Sequence, residues 1–464
     1  MIDLSKPDYL FFAGIGGIGM SALALWFRSN GFVVAGYDRT KSVLTESLAE
    51  KGCSVIYRDE PESLPDVFRD PLKKEKVMVV YTPAMRSDNR ILGWFRTNNY
   101  LIHKRSEILG EISSRTDTIA VAGTHGKTTV STMAAHLLKQ SGVDCSAFLG
   151  GISKNYDSNL ILGKGRYTVM EADEYDRSFH RLSPLISVIT SLDADHLDIY
   201  GDQETMIRAY NEFIAKIRPG GKLFAFNRIA SKLEIPSSLD FYTYGLDEEA
   251  DYQAFNIIRD SDHYRFSIKT PDRIIDDLRF IFPGIVNIIN LTAATAVALN
   301  CSVKEQEIRK AILLFRGVRR RFDIRINRPG LVYIDDYAHH PEEIRAFVES
   351  VREYYGNRRI TGIFQPHLFT RTRDHAEGFA KILDKLDEVI LLPVYPAREE
   401  PVTGVTSELI YNRMMLSDKK MLELRDLPEA LDVENIDILV TIGAGDIDTL
   451  AGPIEEKLRN VPER

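Results

Sequence analysis

Apolar runs of strand length alternate with amphipathic helical patterns along most of the sequence. The runs occupy residues 9–13, 33–36, 77–81, 118–122, 168–170, 185–190, 331–334, 360–364, 388–394 and 438–442. This alternation is typical of parallel sheets covered by helices on both faces, so it predicts an α/β fold. Between about residues 237 and 283 polar and apolar residues alternate singly, which predicts a small antiparallel insert.

The chain of 464 residues is long enough for about three domains of about 150 residues each. A fresh strand begins soon after residues 104–107, and a helix ends in a basic cluster near Gly317. We therefore predict domains at residues 1–106, 107–316 and 317–464, with the antiparallel insert in the second.

Composition and charge narrow the possible partners. A formal net charge of −8 gives no long-range attraction for nucleic acid or anionic lipid, so we predict neither as a partner. The three cysteines are far apart, which disfavours a disulfide framework and a thiolate metal site. Residues 11–27 are uncharged, but their glycine-rich turn and the lack of a basic flank disfavour a signal peptide or membrane span. We expect a cytoplasmic protein, either a monomer or a weak homodimer.

Four glycines lie between the first predicted strand and the helix that follows: Gly14, Gly16, Gly17 and Gly19. Asp38 ends the next strand. Glycines at such a turn let the backbone approach a diphosphate, the helix N-terminus supplies N–H donors, and the aspartate can accept from a ribose hydroxyl. The motif predicts a diphosphate site and leaves NAD and a UDP-sugar as alternatives.

A second loop, GTHGKTT at residues 123–129, lies between a buried strand and an amphipathic helix. The usual phosphate-binding loop has four residues between its first glycine and its Gly-Lys pair, whereas this loop has two. Backbone N–H groups would cradle phosphate, the lysine would neutralise β/γ oxygens, and the threonine after it would hold Mg²⁺. The predicted nucleotide-binding residues are Gly123, Thr124, His125, Gly126, Lys127, Thr128 and Thr129.

Acidic clusters follow the next two predicted strands: EADEYD at residues 171–176 and DADHLD at residues 193–198. Either cluster alone is compatible with a solvated acidic loop. Because both follow a phosphate-binding loop at successive strand ends, we interpret them as a source of hard oxygen ligands for Mg²⁺.

The motifs in the remainder of the sequence are less specific. Asn287 and Asn290 open a helix of small residues, where they could cap the helix or read an adenine edge. The basic cluster at residues 319–321 is either a surface feature or a source of a guanidinium for a γ-phosphate. DDYAHHP at 335–341 and QPHLFTRT at 365–372 each follow a buried strand, and this concentration of histidines at strand ends points to a shared cleft.

Taken in order, these motifs resemble those of the Mur ligases of peptidoglycan synthesis: GIGGIGMS, GTHGKTT, EADEYD, DADHLD, NIIN, RRRF, DDYAHHP and FQPHLFTRT. The resemblance covers nearly the whole chain and includes the shortened phosphate loop. It implies a Rossmann-like N-terminal domain for a UDP-sugar, a central P-loop ATPase-type domain and a Rossmann-like C-terminal domain for an amino acid. It also implies that ATP phosphorylates the carboxylate of UDP-N-acetylmuramate to an acyl phosphate, which the amine of L-alanine attacks.

The resemblance implies roles for individual residues, carried over motif by motif. Lys127 would bind the β/γ-phosphates, Thr128 and Glu171 would hold Mg²⁺, and His196 would hold a second metal ion. In the second half of the chain, the implied nucleotide contacts are Asn287 and Asn290 to adenine, Arg321 to the phosphates and Asp336 to the ribose. The implied catalytic residues are Lys127, Glu171, His196 and Arg321. The implied substrate-binding residues are Gly14, Gly16, Gly17, Gly19, Asp38, His196, His339, His367 and Arg371.

The sequence departs from the family pattern at two places. Leu368 replaces a usual arginine, and Val286 replaces the usual histidine before the first asparagine of the adenine motif. Lys216 lies in the helix where some sister ligases carry a carbamylated lysine, but its spacing does not match and we assign it no role.

Three other functions account for part of the sequence. A cell-wall recycling ligase would join a whole tripeptide to the same UDP-sugar, although the run LDADHLDIYGD looks more like the alanine-adding enzymes. An NAD-dependent oxidoreductase would use the first glycine motif but leave the phosphate-binding loop unexplained. A non-catalytic regulator would bind ATP without forming an amide.

Overall fold

The computed structural model describes residues 2–193, 197–260, 263–397 and 399–462. The described chain forms two compact units, Met1–Phe280 with Ile289–Arg316, and Ile281–Ile288 with Gly317–Arg464. Each unit is built around parallel strands, and we describe each by itself.

The first sheet lies in the first unit, near the N-terminus. Its strands are β1 (Tyr9–Ala13), β2 (Val33–Tyr37), β3 (Ser54–Ile56), β4 (Val77–Tyr81) and β5 (Leu101–Lys104). The associated helices are α1 (Ile18–Ser29), α2 (Val43–Glu50), α3 (Asp66–Arg69), α4 (Arg90–Thr97) and α5 (Arg105–Arg115). The strands are parallel in the order β3-β2-β1-β4-β5, which is a Rossmann-like arrangement.

The second sheet completes the first unit. Its strands are β6 (Asp117–Ala122), β7 (Cys145–Ser153), β8 (Ser158–Ile161), β9 (Tyr167–Glu171), β10 (Ile186–Ile189), β11 (Lys222–Phe226), β12 (Asp240–Gly245), β13 (Tyr252–Arg259), β14 (Tyr264–Lys269) and β15 (Ile274–Phe280). The helices that accompany it are α6 (Lys127–Gln140), α7 (Leu197–Tyr200), α8 (Gln203–Ile214), α9 (Ile285–Asn300) and α10 (Glu305–Leu314). Along the chain, α9 begins in the second unit and ends in the first.

The predicted antiparallel insert is an extension of this second sheet. β13, β14 and β15 pair antiparallel, as the alternating pattern predicts, but β12 pairs in parallel with both β11 and β13. The sheet order β15-β14-β13-β12-β11-β10-β6-β9-β7-β8 is therefore continuous from the parallel centre to the antiparallel edge. At the centre, β6 lies between β9 and β10 and is parallel to both. The carboxyl ends of these three strands, and the loops that follow them, therefore lie at the same edge of the sheet.

The third sheet forms the second unit. Its strands are β16 (Asp323–Arg328), β17 (Leu331–Asp336), β18 (Ile360–Phe364), β19 (Glu388–Leu391), β20 (Lys419–Met421) and β21 (Ile438–Ile442). Its helices are α11 (Pro341–Tyr355), α12 (Phe369–Leu383), α13 (Glu408–Tyr411), α14 (Leu427–Ala430) and α15 (Ala451–Arg459). The order is β16-β17-β21-β18-β19-β20, parallel except for β16 at the edge. The predicted α/β class, with its three parallel-rich regions, is confirmed.

The first two sheets share a hydrophobic core within the first unit. The ring of Trp26 on α1 lies 6.3 Å from that of Phe148 on β7, centroid to centroid. Beside them, the Asn159 side chain on β8 donates to the Ser21 hydroxyl on α1 at 2.9 Å. Burial of this apolar surface holds the glycine-rich loop before α1 at a defined place relative to the second sheet. Within the described residues, no helix combines the length and apolarity that a membrane span requires.

Candidate active site

The glycine-rich loop joins β1 to α1 and is held in shape by its neighbour strand. Gly14 has a φ of +85°, a left-handed conformation that favours glycine. The N–H groups of Gly14 and Ile15 donate to the carbonyl of Tyr37 at 2.7 and 3.0 Å. The Gly16 N–H donates to Oδ2 of Asp38 at 2.8 Å. Asp38, predicted near a ribose, thus uses one carboxylate oxygen to fix the turn itself.

Arg105, at the start of α5, lies against the first turn of α1. A Cβ atom built on Gly19 would come 1.8 Å from Nη1 of Arg105. On its other side the guanidinium reaches Oδ2 of Asp173 at 3.3 Å. A cation thus lies between the glycine-rich loop and the EADEYD loop, in a position that the sequence did not indicate.

The GTHGKTT loop turns sharply between β6 and α6. Gly123 and Gly126 have φ values of +130° and +84°, so both occupy conformations that L side chains rarely adopt. The loop is tied to the chain after β10 through Ser191, whose Oγ lies 2.8 Å from the Thr124 hydroxyl and accepts from the His125 N–H at 2.7 Å. These hydrogen bonds and the two glycine conformations define the shape of the loop.

The backbone N–H groups of residues 126–129 define the interior of this loop. Among the described residues, none of these four N–H groups has a hydrogen-bond acceptor. They begin α6, so the partial positive charge of the helix N-terminus is added to them. Consecutive N–H groups of this kind form an anion-binding nest, and the residues present therefore fit a phosphate group.

Lys127 is folded back over its own loop. Its Nζ donates to the carbonyl of Gly123 at 2.6 Å and to Oε1 of Glu174 at 2.8 Å. Burial lowers the pKa of Lys127, but the carboxylates of Glu174, Glu171 and Asp173 raise it by more, so the ammonium remains charged. A phosphate would meet a fixed positive charge at this position.

Glu171, the predicted Mg²⁺ ligand, ends β9 and faces β7. Its Oε2 accepts from the Gly150 N–H at 3.1 Å, and a Cβ atom built on Gly150 would lie 2.2 Å from the same oxygen. Gly150 is therefore needed to make room for this carboxylate. Its chemistry and that of the Thr128 hydroxyl suit a hard cation such as Mg²⁺.

His196 lies outside the described residues, so its predicted metal role is not tested by the structure. Nearby, Nε2 of His125 lies 3.6 Å from a carboxylate oxygen of Asp193, the first residue of the DADHLD cluster. Within the described part of the chain, no three His, Cys, Asp or Glu side chains are grouped closely enough to hold a metal.

The two asparagines of the adenine motif are both buried on α9. In the first unit, a Cβ atom built on Gly126 would lie 3.2 Å from Oδ1 of Asn290, so this amide adjoins the phosphate-binding loop. In the second unit, Nδ2 of Asn287 donates to the Pro283 carbonyl at 2.6 Å, which fixes the chain just before the helix.

In the second unit, Asp336 ends β17 and is buried. Its Oδ2 accepts from the Phe322 N–H at 2.6 Å, and its Oδ1 accepts from the Ala338 N–H at 2.8 Å. Burial raises the pKa of Asp336 to about 6, although Arg321 and the two N–H donors oppose that rise. Both oxygens therefore stabilise the local chain, and each retains a lone pair for a further donor.

Arg321 and His339 meet at Glu343 on α11. The Arg321 guanidinium lies 3.9 Å from Oε1 of Glu343 and 5.0 Å above the ring centroid of Tyr337. Oε2 of the same glutamate accepts from the His339 N–H at 3.1 Å. Burial lowers the pKa of His339, against the opposing charge of Glu343, so its imidazole is neutral at pH 7. Glu343 is a further residue that the sequence did not indicate.

His367 follows β18 at the same edge of the third sheet. Its ring stacks on that of Tyr395, with the centroids 5.7 Å apart and an interplanar angle of 23°. The centroid of the His339 ring also lies 5.7 Å from that of His367, but the two ring planes make an angle of 69°. Leu368, in place of the family arginine, is buried with a φ of +69°. An apolar buried side chain makes no carboxylate contact, which leaves Arg371, on the first turn of α12, as the candidate cation there.

The structure thus brings the predicted residues together in two groups, one in each unit. The first group joins the GTHGKTT loop, Glu171 and Asn290; the second joins Arg321, Asp336, His339 and His367. It adds Glu174, Gly150 and Arg105 to the first group, and Glu343 to the second. Glu174 belongs to the EADEYD motif that the sequence already marks, and Glu343 lies two residues after DDYAHHP, but Gly150 and Arg105 carry no motif signal.

The fold and the first group define a nucleotide-binding α/β protein with a phosphate loop at the edge of a parallel sheet. The chain belongs to the Mur ligase family. Family models match at residues 10–116 (Mur ligase family, catalytic domain), 121–298 (Mur ligase middle domain) and 320–445 (Mur ligase, glutamate ligase domain). The resemblance inferred from the motifs is thereby confirmed.

Individual relatives match over nearly their whole length. The UDP-N-acetylmuramate–L-alanine ligase of Phocaeicola vulgatus is 46% identical over 449 residues, which covers 96% of this chain and 97% of the relative. That of Parabacteroides distasonis is 44% identical over 458 residues, with 98% of both chains covered. The crystal structure of UDP-N-acetylmuramate-alanine ligase from Thermotoga maritima is 28% identical, with a TM-score of 0.82 over 97% of this chain and 99% of that one. This match confirms the predicted three-domain α/β fold.

Proposed function

We propose that this protein is an ATP-dependent ligase that joins L-alanine to the carboxylate of UDP-N-acetylmuramate in peptidoglycan synthesis. The names of the relatives, matched at 42–46% identity over nearly full length, support this substrate pair. The second support is the phosphate-binding loop with its lysine, which an amide-forming ligase driven by ATP requires.

The triphosphate would bind at the GTHGKTT loop. The N–H groups of residues 126–129 would donate to phosphate oxygens, and Lys127 would neutralise the β/γ-phosphates. Thr128 and Glu171 would hold Mg²⁺, because hydroxyl and carboxylate oxygens suit this cation, and His196 would hold a second metal ion. Asn290 and Asn287 would contact adenine, and Asp336 the ribose.

The UDP-sugar would bind at the glycine-rich loop of the first sheet. Gly14, Gly16, Gly17 and Gly19 let a diphosphate approach the backbone, and the first turn of α1 offers N–H donors. Asp38 would act there through the loop that it fixes. His339, His367 and Arg371 would contact the incoming amino acid, and Arg321 would stabilise phosphate charge.

A carboxylate oxygen of the sugar would take the γ-phosphoryl group of ATP, the bond from that phosphorus to ADP would break, and an acyl phosphate and ADP would form. The amine of L-alanine would then attack the acyl carbon and lose a proton, the carbon–oxygen bond to phosphate would break, and an amide and inorganic phosphate would form. The residues of this chain contribute positioning and charge neutralisation rather than a covalent nucleophile. The predicted regions at residues 1–106, 107–316 and 317–464 would carry the sugar, the nucleotide and the amino acid.

A substrate panel tests this function. The protein is incubated with UDP-N-acetylmuramate, ATP and Mg²⁺, and with each amino acid or the cell-wall tripeptide, and the products are identified by mass spectrometry. We expect an L-alanine adduct with equimolar phosphate release. A tripeptide adduct formed in preference to the L-alanine adduct would favour the recycling ligase. ATP binding without any adduct would favour a regulator. Light scattering tests the predicted monomer or weak homodimer.

A further inference from the structure

We infer that Glu174 is a positioning residue for Lys127, and that it raises the rate of phosphoryl transfer while lowering the affinity for ATP. This inference rests on the proposed function of the GTHGKTT loop. Glu174 follows Glu171 in the EADEYD motif, but nothing in the motif distinguishes its role from that of its acidic neighbours.

The contact between the two residues is close and buried. Only 1% of the Glu174 side chain is exposed, and its two carboxylate oxygens each lie 2.8 Å from Nζ of Lys127. The same ammonium donates to the carbonyls of Gly123 and Thr124 at 2.6 and 3.3 Å. Among the described residues, the lysine is thus held by its own loop on one side and by the Glu174 carboxylate on the other.

Glu174 is itself fixed by its surroundings. The hydroxyl of Tyr200, on α7, donates to the Glu174 carbonyl at 2.6 Å, and the Arg177 N–H donates to the same oxygen at 2.9 Å. Asp176 and Arg177 adopt left-handed conformations, with φ values of 53° and 52°, so the chain after Glu174 turns back tightly. A carboxylate anchored in this way can define the position of a flexible lysine side chain.

The charge of Glu174 acts in opposite directions on binding and on turnover. A buried carboxylate beside a triphosphate opposes anion binding and competes with phosphate for the ammonium. The same carboxylate confines the ammonium to one place, and a misplacement of about 1 Å at such a group costs about 100-fold in rate. A residue that merely supports the fold would instead reduce binding and turnover together.

The test compares Glu174→Gln with Glu174→Asp in the full-length protein. We expect Glu174→Gln to bind a non-hydrolysable ATP analogue with Mg²⁺ about 3-fold to 10-fold more tightly than the wild type, by calorimetry, while kcat falls about 10-fold to 100-fold. Glu174→Asp keeps the negative charge but shortens the side chain by one methylene group, which moves the carboxylate away from the Lys127 ammonium. Its kcat should fall by a smaller factor, with the affinity for the analogue within about 2-fold of the wild type.

Glu111→Gln is the matched control, because Glu111 is also buried and paired, with Arg115 at 2.8 Å on α5. We expect it to lower thermal stability with kcat and nucleotide affinity unchanged. The inference is overturned if Glu174→Gln keeps kcat within about 2-fold of the wild type, or if its affinity and kcat fall together. A Glu174→Gln protein that does not fold leaves the decision to Glu174→Asp, whose unchanged kcat would also overturn the inference. Failure of the proposed function is distinct, because the wild type itself would then form no L-alanine adduct, whatever its affinity for the analogue.

Discussion

Gly19 and Arg105 lie so close that a Cβ atom on the glycine would come 1.8 Å from a guanidinium nitrogen. The fourth glycine of the loop therefore makes room for a cation as well as for the turn of the helix. Because Arg105 also contacts Asp173, the arginine connects the loop proposed for the UDP-sugar with the loop proposed for the metal.

We predict that Gly19→Ala weakens UDP-N-acetylmuramate binding by about 10-fold or more, because the methyl group displaces the guanidinium from the start of α1. Calorimetry with the sugar nucleotide measures the effect. Gly93→Ala is the control, since Gly93 is also helical and a methyl group there meets no atom within 4 Å. Equal affinities for the two variants would show that Arg105 takes no part in binding.

Lys127→Ala should abolish ATP-dependent amide formation while UDP-sugar binding persists. The variant removes the charge proposed to neutralise the transferring phosphoryl group. It also leaves the buried Glu174 without its ammonium, which we expect to cost about 3–5 kcal/mol of folding free energy unless the carboxyl takes up a proton. Turnover assays and denaturant unfolding measure the two effects, and normal turnover would require a different role for Lys127.

Gly150→Ala should disturb the Glu171 carboxylate, because the added methyl group would lie 2.2 Å from Oε2. We expect the Mg²⁺ concentration for half-maximal activity to rise about 10-fold, which corresponds to the loss of one good ligand contact. UDP-sugar affinity should stay constant. A titration of activity against Mg²⁺ that superimposes on the wild-type curve would argue against Glu171 as a metal ligand.

His136 on α6 should make stability depend on pH. Its side chain is fully buried, Nε2 lies 2.8 Å from the Ala311 carbonyl, and burial lowers its pKa from the ordinary 6.5. As pH falls through about 6.5 the unfolded chain gains a proton that the folded protein excludes, so stability is complete above that pH and declines below it. In His136→Gln the fall in melting temperature between pH 7.5 and 5.5 should be smaller by about 2–4 °C. Identical pH profiles for the two proteins would contradict this prediction.

Hydrophobic pattern predicted the central strands of each sheet closely. The bounds expected for β1, β4, β18 and β21 match the structure, because uninterrupted apolar runs report burial on both faces. β7 was not predicted, since its two glycines and mixed side chains give no clear period. The continuity of the sheet through β12 was not predicted either, because pairing between strands is a non-local property.

In the candidate site, too, local features could be predicted from the sequence and contacts between distant segments could not. The phosphate loop and the acidic cluster that begins at Glu171 are recognisable because their residue types and spacing are prescribed by local chemistry, whereas Asp336 is assigned only through the family resemblance. The pairing of Glu174 with Lys127 depends on two loops that are 47 residues apart in sequence, and no pattern within either loop reveals it. The positions of Gly150 and Arg105 likewise follow from packing between strands and helices, which sequence spacing does not encode.

The bond between Gly16 and Asp38 has a consequence for attempts to redesign cofactor choice. In dinucleotide enzymes the corresponding carboxylate is available to a sugar hydroxyl, whereas here part of it closes the turn. Recruiting this aspartate to NAD would open the loop, so a designer would need to rebuild the backbone before changing any contact with a new ligand.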